Sequence, residues 1–203
     1  MTIKTTAKIL SVLFHPILYP IYSFLLLFFF DSRFVVQTPI QVKNYMFIVV
    51  VLNTLFIPVA MLYFLKRRKL ITTYEMKSRQ ERIYPLVLFF VFYLSTWYLI
   101  SRFQIFPLYS LVLALSGLTA FVALLLNFFF KISIHSLGIA AYSGALLAIG
   151  YTYGLQLMPL FVLVTLIGGL IASARLILHA HQPYQVYAGL FIGFVLGLFY
   201  VIS

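Results

Sequence analysis

PLYSLVLALSGLTAFVALLLNFFF, residues 107–130, holds no charged side chain and is long enough to cross a bilayer. About 20 apolar residues span a hydrocarbon core of ~30 Å as a helix. Backbone N–H and C=O groups in lipid must be satisfied within the segment, which selects helix. The same reading extends along the chain to runs at 7–30, 45–65, 85–101, 136–153, 158–178 and 184–202. Over its 203 residues the protein is 64% hydrophobic and 8% charged, with a mean hydropathy of +1.10. A soluble domain is about one quarter charged. The expectation is therefore an all-α polytopic integral membrane helical bundle of six to seven transmembrane helices. Residues 1–203 form a single transmembrane domain in this reading. His15, Pro16 and Pro20 interrupt the first run early, which predicts a kink or a short segment ahead of the span. Pro85, Pro107 and Pro159 are read as starting their spans, where a missing N–H costs little.

Composition narrows the chemistry. The chain has no cysteine, which removes disulfides, thiolate nucleophiles and cysteine-bound metals. Its three acidic residues, Asp31, Glu75 and Glu81, fall between the apolar runs. Carboxylate-pair glycosidase chemistry, oxygen-rich magnesium or calcium cages and intramembrane carboxylate relays are thus hard to build. The net charge of +11 points to anionic lipid headgroups or phosphate ligands rather than nucleic acid in so apolar a chain.

Seven crossings leave Arg33, Lys43 and Arg102 on one side and the other eleven of the 14 Lys and Arg residues opposite. By the positive-inside rule the N-terminus and the basic loops face the cytoplasm. The Lys66-Arg67-Arg68-Lys69 run is a topology and lipid anchor in this reading.

Three polar clusters break the apolar background on that basic side: 77–85, 131–136 and 175–189. They supply cations, hydroxyls and imidazoles with no carboxylate base in the helices. Such a set suits a phosphate group, which Arg and Lys neutralise, Ser hydrogen-bonds, and imidazoles attack or protonate. Two histidines of the third cluster, His179 and His181, could instead join His135 in a three-histidine metal site. Ser133 and Ser136 could also simply cap the helix that follows. The stripe Gly189, Gly193 and Gly197 lets a second helix approach closely, either within the chain or in a homodimer.

At these residues the sequence resembles the type 2 phosphatidic acid phosphatase superfamily. Arg175, His181 and Gln185-Val186-Tyr187-Ala188-Gly189 resemble its third motif, R-x5-H-x3-D-V-x-A-G, with Gln in place of Asp. Ser133-Ile134-His135 resembles its P-S-G-H motif, and Lys77 to Pro85 loosely resembles its K-x6-R-P. The resemblance implies an integral membrane lipid-phosphate phosphatase that works through a phosphohistidine, with no metal and no other cofactor. It makes His181 the nucleophile, His135 the general acid, and Gln185 the group that orients His181. Arg175, Arg82, Lys77 and Ser133 would bind the substrate phosphate. The partners it implies are a lipid phosphate and the surrounding membrane lipids; the expected location is a bacterial inner membrane, and the basic-residue count, against the habit of much of the family, puts the site on the cytoplasmic face. A non-catalytic phospholipid-binding or lipid-transport protein that keeps the phosphate clamp is the alternative.

Overall fold

A computed structural model describes residues 2–29, 38–76, 78–103 and 107–202. Among the described residues helix accounts for 83%, and there is no strand. Seven helical segments there are long and apolar enough to cross a membrane. The protein is an all-α polytopic membrane protein, as its apolar runs require. Its contacts divide it into two compact units, one formed by Met1–Tyr19 with Phe129–Ser203 and the other by Pro20–Phe128.

The first unit contains α1 (Ile3–Leu13), a 3-10 turn (Pro16–Leu18), α7 (Ile134–Tyr153), α8 (Met158–Ile177) and α9 (Pro183–Ile202). Among the spans α7 is the least hydrophobic and the most buried, with 67% of its central window covered. Its composition explains this: Gly138, Ala140, Ala141, Ser143, Gly144 and Ala145 present almost no side chain, so neighbouring helices approach closely.

The closest approach is to α9. A Cβ added to Gly193 would lie 2.2 Å from the Leu137 carbonyl oxygen, and one on Gly197 would lie 1.9 Å from that of Ala141. At Gly189 the nearest atom would be the Ser133 carbonyl oxygen at 3.0 Å. Ascending positions on α9 thus meet ascending positions on α7, and the two helices run parallel in a fixed register with their N-termini side by side. α7 of the same chain lies against Gly189, Gly193 and Gly197, so the stripe serves packing within the chain.

The segment after α1 follows α7 as well. His15 accepts the Ile17 N–H at its Nδ1 (3.3 Å) and so caps the proline-led turn. Pro16 and Tyr19 lie against Gly138, and the Tyr19 ring stacks on Tyr142 at 6.2 Å. The expected interruption is a real break. Contacts descend α7 from its first turn at His15 to its third at Tyr19, while α1, ahead of the break, packs on α8.

The second unit contains α2 (Tyr19–Phe29), α3 (Ile40–Val51), a π-helical stretch (Leu52–Phe56), α4 (Ile57–Arg67), α5 (Arg79–Ser101) and α6 (Pro107–Asn127). The π-helical stretch has a local cause. Pro58 cannot donate to the carbonyl of Thr54 and its ring crowds that oxygen, so the helix widens. Phe24, Phe28, Phe47 and Tyr109 form an aromatic cluster with ring centroids 5.3–6.1 Å apart in the contacts Phe24–Phe28, Phe24–Tyr109, Phe28–Phe47 and Phe28–Tyr109.

One expected boundary is corrected. Pro85 does not start its helix; α5 begins at Arg79, and Pro85 lies inside it. Ser78 is the N-cap, and its Oγ accepts the Glu81 N–H at 3.3 Å, the spacing of half a capping box. The Glu81 carboxylate instead accepts from Thr72 N (2.9 Å), tying the preceding loop to the helix.

Candidate functional site

α8 ends in a turn that explains the Arg-x5-His spacing. His179 takes a left-handed conformation (φ 49), its N–H donates to Leu176 O at 2.9 Å, and Ala180 N–H donates to Arg175 O at 3.1 Å. This is a Schellman closure, which satisfies the last carbonyls and reverses the chain within a few residues. Arg175, in the last turn of α8, and His181, just ahead of α9, are thereby brought to one end of the unit. A cation there also complements the negative end of α8.

His181 is buried at 7% exposure. Its Nδ1 lies 3.1 Å from Gln185 Oε1 and 3.3 Å from the Lys131 carbonyl oxygen. Both partners are acceptors, so Nδ1 carries the proton and the lone pair sits on Nε2. Gln185, one helical turn on and also buried, has its amide orientation fixed from both ends. Oε1 additionally accepts the Gln182 N–H (3.2 Å), and Nε2 donates to the Tyr184 hydroxyl (3.1 Å). The four-residue spacing that places both side chains on one face was legible in sequence. The Lys131 carbonyl and the Tyr184 hydroxyl were not, because nothing in their residue types marks them.

Ser133 is fully buried and caps α7. Its Oγ accepts from Ser136 N (3.4 Å) and Ser136 Oγ (2.9 Å), and its own N–H donates to the Gln185 carbonyl (3.2 Å). That last bond crosses from α7 to α9 and locks the two helix starts together. Two helix N-termini, with their unsatisfied N–H groups and positive dipole ends, therefore open on the same region. His135, in the first turn of α7, has Nε2 3.0 Å from the Ser11 carbonyl oxygen. The Arg175 charge acts electrostatically on both His135 and His15, and His181 acts on His135.

Ser133, His135, Arg175, His181 and Gln185 thus gather at one end of the first unit. His15, which the sequence marks only as part of the early break in the first run, joins them. Its ring meets that of His135 edge-on, with centroids 4.9 Å apart and an interplanar angle of 87°. Only the break at Pro16 hinted at a special position, and the contact itself links residues 120 apart.

Arg82 belongs to the second unit. It is 6% exposed, and its Nε donates to the Met76 carbonyl at 3.2 Å. Nearby, Arg79 donates to Phe128 O (3.2 Å) and Asn127 Nδ2 donates to Arg79 O (2.8 Å). Lys77 lies outside the described residues. His179 is exposed, and among the described residues no three His, Asp or Glu side chains are grouped to hold a metal ion.

Comparison with known proteins finds no matching family model, no matching curated protein and no matching solved structure.

Proposed function

We propose that the protein is a membrane lipid-phosphate phosphatase that hydrolyses a phosphomonoester or diphosphate on a lipid through a phosphohistidine at His181. The observation that carries this reading is the pair of acceptors facing His181 Nδ1. A buried imidazole whose Nδ1–H is held by Gln185 and Lys131 O presents its lone pair at Nε2, the requirement for an imidazole nucleophile. Arg175 and the paired starts of α7 and α9 supply positive potential for the phosphoryl oxygens, and Ser133 stands at the α7 start.

The chemistry runs in two balanced steps. His181 Nε2 attacks phosphorus, the bond from phosphorus to the leaving oxygen breaks, and protonated His135 gives that oxygen its proton. Water then attacks the phosphohistidine, His135 takes the proton from water, the P–N bond breaks, and inorganic phosphate leaves. General acid catalysis of this kind contributes about 10²–10⁴-fold. The site is assigned to the cytoplasmic face on the strength of the basic loops, in a membrane read as a bacterial inner membrane.

A second reading, a non-catalytic phospholipid-binding or lipid-transport protein, is favoured by one observation. Both acceptors on His181 Nδ1 are neutral, whereas a carboxylate would stabilise the imidazolium-like charge that develops during attack.

Release of inorganic phosphate by the detergent-purified protein, assayed on several lipid phosphates with EDTA present, tests the proposal. EDTA-resistant release that His181→Ala abolishes supports the phosphatase. Binding without release supports the second reading, and EDTA-sensitive release would contradict both.

A further inference from the structure

The phosphatase resemblance draws only on residues from 77 onward, yet the N-terminal segment reaches the same end of the first unit. Ser11 in the last turn of α1 and His15 just after it both touch His135. The Ser11 carbonyl can only accept, so His135 Nε2 is the donor across their 3.0 Å contact. In the neutral ring that leaves Nδ1 as the nitrogen with a lone pair, the opposite of His181. The His15 ring stands at 87° to His135, 4.9 Å from it, as a wall. His15 is itself immobilised, since its Nδ1 is bound to the Ile17 N–H and Pro16 fixes the turn.

The geometry points to His15 as a positioning residue that, with the Ser11 carbonyl, holds the His135 imidazole so that Nδ1 is its proton-exchanging atom. The proton-transfer step rests on the phosphatase reading; the ring orientation does not. An imidazole carries a proton to a leaving oxygen only when one nitrogen faces that oxygen, and a carbonyl on Nε2 dedicates the other nitrogen to the task. Side-chain orientation about χ2 of histidine is otherwise broad, so a lone hydrogen bond leaves the ring free to swing about it. An edge-on neighbour removes that freedom.

The test is nuclear magnetic resonance on full-length protein with ¹³C,¹⁵N-labelled histidine in lipid nanodiscs, without substrate and at alkaline pH. The chain has four histidines, so single substitutions assign every ring. His135 is expected to carry its proton on Nε2 and His181 on Nδ1, two opposite tautomers in one spectrum, with the His135 Nε2–H protected from exchange. In His15→Ala that protection should be lost, and in His15→Phe, which keeps a ring edge in place, it should be retained. A His135 proton on Nδ1 in the wild type, or an unchanged protected Nε2–H in His15→Ala, overturns the inference. If His15→Ala yields no folded protein, the wild type and His15→Phe decide: loss of the protected Nε2–H in His15→Phe rejects the wall. Absence of phosphate release from the wild type would sink the phosphatase reading and leave these spectra as they are.

Discussion

Replacing Gly197 with alanine places one methyl group into the α7–α9 seam. The added carbon would lie 1.9 Å from the Ala141 carbonyl oxygen, 2.8 Å from its carbonyl carbon and 2.9 Å from Ala145 N, all backbone atoms. No rotamer change relieves such a clash, so the helices must separate by about 1 Å or more at this level, against a packed interior that deforms poorly. Overpacking of this kind costs about 1–3 kcal/mol, and a backbone neighbour puts the value at or above the upper end. Gly193→Ala, at 2.2 Å from the Leu137 oxygen, should cost less than Gly197→Ala, and Gly189→Ala, at 3.0 Å from the Ser133 oxygen, least of the three. Gly169→Ala provides the internal control: it is helical, exposed and has nothing within 4 Å of its added carbon, so helix propensity alone should stabilise it by up to about 1 kcal/mol. Thermal unfolding of each variant in one detergent gives the ranking. Equal midpoints for Gly197→Ala and Gly169→Ala would refute the parallel backbone seam.

Gln185→Leu should reduce phosphate release about 10²-fold or more while lipid-phosphate binding survives, since His181 loses the side-chain acceptor that fixes its tautomer; Gln185→Asp should keep or raise the rate, measured by steady-state release. Tyr184→Phe removes the hydroxyl that accepts from Gln185 Nε2 and should lower the rate less than Gln185→Leu does, because Oε1 keeps its Gln182 N–H partner; a larger loss would reject this account of the amide. His179→Gly should raise stability by about 1 kcal/mol in thermal melts, because a left-handed φ of 49 strains any side-chain-bearing residue. Ser133→Ala should lose about 0.5–2 kcal/mol with the α7 cap, and any drop in release beyond what the shifted melting curve explains would come from the lost hydroxyl at the site.

The apolar runs gave up the number of spans because lipid imposes its length on every crossing helix. Their ends were harder to read. Ser78-x-x-Glu81 marks the start of α5, but Pro85 six positions inside the helix is the louder signal and drew the boundary to itself. Left-handed closures end α4 at Lys69 and α8 at His179 as well as α7 at Gly154, and only the last carries the glycine by which such closures are found. At the site, the four-residue spacing of His181 and Gln185 is a local helical relation and could be read directly. The carbonyls of Ser11 and Lys131 are positioned by contacts between distant segments, and every residue carries a carbonyl. The stripe of glycines announced a close helix partner without naming α7, since small residues specify proximity and not identity.

The parallel pairing of α7 and α9 also has a consequence for biogenesis. Parallel neighbours joined through an intervening span cannot meet as a hairpin; α8 must cross back first, and α9 must then insert beside a helix completed two crossings earlier. A nascent chain ending just after α8 already has Ser133, His135 and Arg175, but lacks His181, Gln185 and the hydrogen bond from Ser133 to the α9 start. The face formed by Leu137, Ala141 and Gly144 of α7 then waits without its glycine-bearing partner. Any reactivity at this site is therefore acquired in one step, late in membrane insertion, when the seam closes.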